Sequence, residues 1–132
     1  MALDLRLRAS VHSVPSARHH MARWLDALSL PDEVVDDMAL AVTELVTNAV
    51  EASPDGGEVV VRATYHPPDL CLEVVDEGPG FHLHDPPENP GAEAIRGRGL
   101  PIVRALVDLV EVERDGRRTK VTATRRLAPS SA

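Results

Sequence analysis

Residues Thr43 to Ala52 read TELVTNAVEA, a stretch that is at once an apolar helix and a polar row. Leu45, Val46, Ala49 and Val50 recur at helical spacing, while Glu44 and Asn48 stand four residues apart. That separation is one helical turn, so the two side chains share a face and can converge on a single ligand or metal ion. The pattern extends back through SLPDEVVDDMALAV, with Ser29 or Pro31-Asp32 as its start, Glu33 in the first turn, and Val34, Val35, Met38, Ala41 and Val42 on the apolar side. No other periodic segment in the chain is as long. A Glu and an Asn at this spacing are by themselves most often a solvated face, so the weight of the pair depends on what the flanking chain brings to it.

Upstream, Leu3, Leu5, Leu7 and Ala9 alternate with Asp4, Arg6, Arg8 and Ser10, the two-residue period of a half-buried strand. A helix follows to about Leu28, with Pro15 in its first turn and Ala17, Met21, Trp24, Leu25 and Leu28 forming a core stripe. Downstream, the turn Pro54-Asp55-Gly56-Gly57 leads into two strands, Glu58 to Tyr65 and Leu70 to Val75, joined as a hairpin by His66-Pro67-Pro68-Asp69. Periodicity then stops. DEGPGFHLHDPPENPGAEAIR, from Asp76 to Arg96, is too long for an ordinary connection and is expected to act as a lid. A further helix, in which Ile102, Val103, Leu106, Val107 and Val110 face inward, precedes a second hairpin of Val110 to Arg114 and Thr119 to Arg126. The order of elements predicts an α+β fold, a two-layer α/β sandwich with helices on one face of a sheet. It is expected to be a single domain over residues 1–127, with 128–132, APSSA, a disordered tail.

Composition narrows the function. The 132 residues fit one domain, and a net charge of −7 with a pI near 5.3 argues against nucleic acid or an anionic membrane as partner. An acidic domain can still hold a nucleotide through a few local donors. Cys71, the single cysteine, can form no internal disulfide, which suits a reducing compartment, and its apolar surroundings predict a small core residue. No apolar run approaches a membrane span, and the start MALDLRLRAS lacks a signal-peptide core, so a cytoplasmic location is expected. His19-His20 and His82-x-His84 have no third ligand at metal spacing and read as solvated or lid histidines.

Two glycine clusters bear on the polar row. Asp76 ends an apolar strand and is followed by Gly78 and Gly80, which let backbone approach a flat ligand while the acid accepts a hydrogen bond from it. Gly97 and Gly99 precede a helix, where free N–H groups and the dipole favour an anion. Each feature is common alone.

In order along the chain, however, E-L-x-x-N-A, V-x-D-x-G-x-G, G-x-G-L-x-I-V and a threonine opening the last strand resemble the ATPase superfamily shared by gyrase, the histidine kinases and the mismatch-repair ATPases. The compact form is similar to the bacterial anti-sigma-factor serine/threonine kinases. The resemblance implies the Bergerat-type ATP-binding fold with a mixed sheet, and ATP and Mg²⁺ as cofactors. It implies that Asn48 ligates Mg²⁺, that Glu44 is the general base on the attacking hydroxyl, and that Asp76 accepts from the adenine amino group. By the same resemblance, Ala52 and Gly80 line the base and Thr119 closes its far side, while Gly97, Arg98, Gly99 and Leu100 wrap the phosphates and the 77–96 loop closes over them. Where the kinases often carry a basic residue two before the phosphate-loop glycine this chain has Ile95, leaving Arg96 and Arg98 as candidates for the γ-phosphate. GRRTKVTA also lacks the second glycine that the family tends to place near the threonine. The implied partners are a sigma factor and an anti-sigma-factor antagonist, with a homodimer formed through the first strand and helix. An ATP-dependent interaction module without catalysis is the alternative; a histidine-kinase fragment is disfavoured by the lack of a separate helical hairpin bearing a phospho-acceptor histidine.

Overall fold

The computed structural model describes residues 1–53, 56–76, 100–116 and 118–127. In chain order the elements are β1 (Ala2–Arg8), α1 (Ser13–Ala27), α2 (Asp32–Ala52), β2 (Glu58–His66), β3 (Asp69–Asp76), α3 (Leu100–Leu106), β4 (Leu109–Asp115) and β5 (Arg118–Arg126). Every expected element is present, most of them shifted by a residue or two at an end. The expected lid and the tail lie outside the described residues.

The strands form one sheet in the order β1-β2-β3-β5-β4. The mixed sheet that the resemblance implied is corrected here: among the described residues every ladder is antiparallel. β4 does run in the same direction as β3, as a crossover through α3 requires. It does not pair with β3, because β5 turns back from β4 and inserts between the two.

Alternation decides which side chains reach the core. Val59, Val61 and Ala63 of β2, Leu70, Leu72 and Val74 of β3, and Ala123 of β5 are buried beneath the helices, with Leu3, Leu5 and Leu7 of β1 packed half-buried at the edge. α1 contributes Ala17, Met21 and Leu25, and α2 contributes seven buried residues from Val34 to Ala49. The opposite face of the sheet carries cross-strand ion pairs, Arg6–Glu58 at 3.3 Å, Arg62–Asp4 at 3.4 Å and Lys120–Glu113 at 3.5 Å, as expected of a solvated surface. Cys71 belongs to this outer face, half-buried, and not to the core, because its parity is opposite to that of Leu70 and Leu72. Partial burial pushes its thiol above the usual range.

Local chemistry sets the helix ends. The Ser13 hydroxyl donates to the Arg8 carbonyl, fixing the exit of β1 against the start of α1. α1 ends at Ala27 with Leu28 as its cap, and Ser29 just beyond takes the left-handed conformation at φ 55°. The Pro31 carbonyl accepts from the Val34 and Val35 amides at 3.0 and 3.1 Å, and Asp32 and Glu33 complement the first turn of α2. On α3, Val103 is buried but Ile102 is 42% exposed, against the inward position expected for it. At 100° per residue it projects from the flank of the stripe formed by Leu100, Val103 and Leu106.

Candidate nucleotide site

At the end of the sheet where β3 finishes and β5 begins, a cavity of about 270 Å³ opens between the sheet, α2 and α3. α2 supplies Leu45, Asn48 and Ala49, and α3 supplies Leu100 and Arg104. The sheet supplies Val74 and Asp76 from β3, Val112 and Arg114 from β4, and Thr119 and Val121 from β5. Most of the wall is aliphatic, with polar groups at few points, the composition of a small-molecule site.

The polar groups of the sheet form a row. Asp76 follows Leu70, Leu72 and Val74 on the inner face of β3, so alternation delivers a carboxylate where another core residue would sit, 4% exposed. Its register partner on β5 is Thr119, 3% exposed, and Thr119 in turn pairs with Arg114 of β4. The Thr119 hydroxyl is buried and, among the described residues, has no hydrogen-bond partner. A buried hydroxyl left unsatisfied costs about 1–3 kcal/mol, and at the cavity wall this one is available to a ligand.

This arrangement fits a purine. A carboxylate can only accept and a hydroxyl can do either, which matches an exocyclic amino group beside ring nitrogens. Leu45, Ala49, Val74 and Val121 offer aliphatic walls to a flat ring. Among the described residues no group of three or more His, Cys, Asp or Glu could hold a metal ion by itself. A single amide oxygen such as that of Asn48 suits an ion that takes most of its ligands from phosphate and water, which is how magnesium is commonly bound. The described lining carries two arginines and one aspartate, a local positive surplus in a chain of net charge −7.

Of the residues expected in the site, Asn48, Asp76, Leu100 and Thr119 come together in this cavity. Glu44 is half-buried one turn before Asn48 on α2 and is not among the lining residues; Ala52, one turn after it, is not either. Gly78, Gly80, Arg96, Gly97, Arg98 and Gly99 lie outside the described residues, as do His82 and His84. His19 and His20 are exposed on α1. Arg104 and Arg114 were not anticipated. Arg114 could have been found from parity, since Val110, Val112 and Arg114 share the inner face of β4, but only with the β4–β5 register in hand.

The histidine kinase-like ATPase domain model matches residues 7–125, and the chain belongs to this family. Within it, the chain is 28% identical over 134 residues to the anti-sigma F factor of Clostridium acetobutylicum, covering 96% of this chain and 94% of that protein. It is 27% identical over 125 residues to the serine-protein kinase RsbW of Listeria monocytogenes, covering 86% of this chain and 80% of the relative. Among solved structures, the RsbU and RsbW domains of a Mycobacterium tuberculosis protein superpose with a TM-score of 0.75 at 23% identity, over 96% of this chain and 32% of that one. This last likeness establishes the two-layer fold. Among the described residues no helix is long and apolar enough to cross a membrane.

Proposed function

We propose that the protein binds Mg²⁺-ATP in this cavity and is a serine/threonine protein kinase that phosphorylates an anti-sigma-factor antagonist and also binds a sigma factor. The observation that carries the reading is the buried Asp76–Thr119 pair, with its unsatisfied hydroxyl, in one aliphatic cavity with Asn48. Two relatives named as an anti-sigma factor and a serine-protein kinase support the choice of reaction and partners. Asp76 and Thr119 hold the base, with Ala52 and Gly80 beside it. Gly97, Arg98, Gly99 and Leu100 hold the phosphates with help from Arg96, and Asn48 is the protein's ligand to the ion. When bound, Mg²⁺-ATP supplies the phosphoryl group and the charge neutralisation its transfer needs. Glu44 takes the proton of the attacking hydroxyl. The reading also includes one domain over residues 1–127, a cytoplasmic location, and a homodimer through α1 and β1, whose outer edge ends the sheet; light scattering that gives the monomer mass at high concentration rejects the dimer.

A second reading, an ATP-dependent interaction module without phosphoryl transfer, is favoured by one observation: Glu44 does not line the cavity. Incubating the protein with γ-labelled ATP, Mg²⁺ and an antagonist shown to bind it separates the two. Label on a serine or threonine of the antagonist supports the kinase. ATP-dependent binding without label transfer selects the module, and a protein that binds no ATP refutes both.

A further inference from the structure

Arg125 occupies an unusual position for a cation. Along β5 the inner-face positions are Thr119, Val121, Ala123 and Arg125, so the guanidinium lies under the helices, its side chain 18% exposed. A charge placed there needs partners, because burial removes its hydration. It has two from different elements. Nη1 pairs with the Asp37 carboxylate of α2, and the same nitrogen donates to the Leu106 carbonyl at the C-terminal end of α3 at 3.1 Å. That carbonyl is one of the last four of a helix, which have no partner within it.

Besides this bridge, α3 is held by a short apolar stripe: Leu100 and Leu106 pack half-buried against the core on either side of Val103. The helix is seven residues long and buries Val103. Beyond its end, Asp108 is fastened to β5 by its amide donating to the Thr124 carbonyl at 2.9 Å and its carboxylate accepting from the Arg126 amide at 2.6 Å. Of these polar contacts, only Arg125 ties α3 itself to both α2 and the sheet. The same helix carries Leu100 and Arg104 into the cavity wall, one turn apart.

Resting on the nucleotide site proposed above, we propose that Arg125 is a positioning residue for that site: it locks the C-terminal end of α3 onto α2 and β5, and so sets where Leu100 and Arg104 stand against a bound nucleotide. It touches no ligand. The base side of the cavity, Asp76 and Thr119, is carried by the sheet and does not depend on this lock. Of the two arginines in the described lining of the cavity, Arg104 is the one α3 carries, so loosening α3 weakens the hold on an anionic group of the ligand and spares the base.

The test compares ATP and adenosine binding by calorimetry in the wild type, Arg125→Gln and Arg125→Lys, with the melting temperature recorded for each. Arg125→Gln is expected to lose roughly 3- to 30-fold in ATP affinity, the range for residues that act on a site through an intervening element, with adenosine affinity unchanged. Arg125→Lys keeps the charge toward Asp37 but, as a single ammonium on a flexible stem, does not reproduce the bridge to Leu106. It should show the same selective loss at smaller amplitude, and it carries the test if the glutamine variant does not fold. Hydrogen exchange at the Val107 amide, which donates to the Val103 carbonyl, should accelerate in both variants while the β2–β3 amides stay protected. Variants with wild-type ATP affinity, or with ATP and adenosine weakened in equal proportion, overturn the positioning role. Wild-type protein that binds neither ligand refutes the nucleotide site itself, and this inference with it.

Discussion

α2 and α3 face the same cavity from adjacent positions, and they arrive there differently. α2 has 21 residues, seven of them buried, and its apolar stripe runs from Val34 to Ala49, alongside Asn48 at the cavity. α3 has seven residues and buries Val103. The long helix is placed by its own packing, and its polar row rides on a body that the core has already fixed. The short helix has a smaller apolar stripe, and its end is also gripped by polar contacts: the Arg125 bridge to Asp37 and Leu106, and the two hydrogen bonds of Asp108. Substitutions on the apolar face of α2 should therefore register in folding and those on its polar row in phosphoryl transfer or metal-dependent binding, whereas those around α3 should register in ligand affinity with smaller effects on folding.

The largest effect is expected at Glu44. Glu44→Gln keeps the shape of the α2 surface while removing the base, so single-turnover transfer from labelled ATP to the antagonist should fall by about 10² to 10⁴, with ATP affinity within a few-fold. Efficient transfer by the variant would show that α2 supplies the site with position only. Next is Asn48→Ala, which should remove roughly 10- to 100-fold of the Mg²⁺-dependent part of ATP affinity, a loss of the size metal sites show when their coordination is disturbed. Equal ATP affinity with and without Mg²⁺ in both proteins would sink the assignment of Asn48 as metal ligand.

The comparison itself can be broken with a matched pair. Val46 on α2 and Val103 on α3 are both 0% exposed, and truncating either to alanine removes the same two methyl groups, worth about 1.6 kcal/mol of transfer free energy at ~0.8 kcal/mol per carbon. Val46→Ala should cost more than this, about 2–3 kcal/mol by urea denaturation, because its neighbours cannot collapse into the space. Val103→Ala should cost little more than the transfer term, about 1.6 kcal/mol, since a short helix can shift to close the gap and remove the cavity term. Equal losses would mean that α3 is as firmly built in as α2. The smallest effect is expected at Thr119→Val, which removes the unsatisfied hydroxyl at constant shape. The ligand-free protein should be unchanged or more stable by up to about 1 kcal/mol, while adenosine binding weakens. A clear loss of stability without ligand would show that the hydroxyl has a partner in the fold and does not await one.

Much of this architecture could be read in the chain because it depends on local repeats. The 3.6-residue period of α2, the alternation of β1, the turn chemistry between the strands and the spacing of Glu44 with Asn48 are all properties of neighbours in sequence. The glycine clusters and the threonine at the start of β5, taken in order with that helix, pointed to the family that the domain match over residues 7–125 bears out. Parity along β3 and β5 was present too, and it brings Asp76 and Thr119 to one face.

Other features depended on which strand lies beside which, and no local period encodes that. The insertion of β5 between β3 and β4 replaced the mixed sheet with antiparallel ladders and completed the row Asp76–Thr119–Arg114. Cys71 stands in an apolar run, but its partners across the sheet put it on the outer face. Ile102 matches the composition of a core stripe, yet a seven-residue helix buries only the side it turns to α2 and the sheet. Arg125 reads in sequence as one of a basic pair closing a strand. It became the lock on α3 only when folding set Asp37, 88 residues earlier, and the Leu106 carbonyl, 19 residues earlier, around one guanidinium. Such contacts form between segments distant along the chain, and the residues that make them carry no mark of it until the core brings them together.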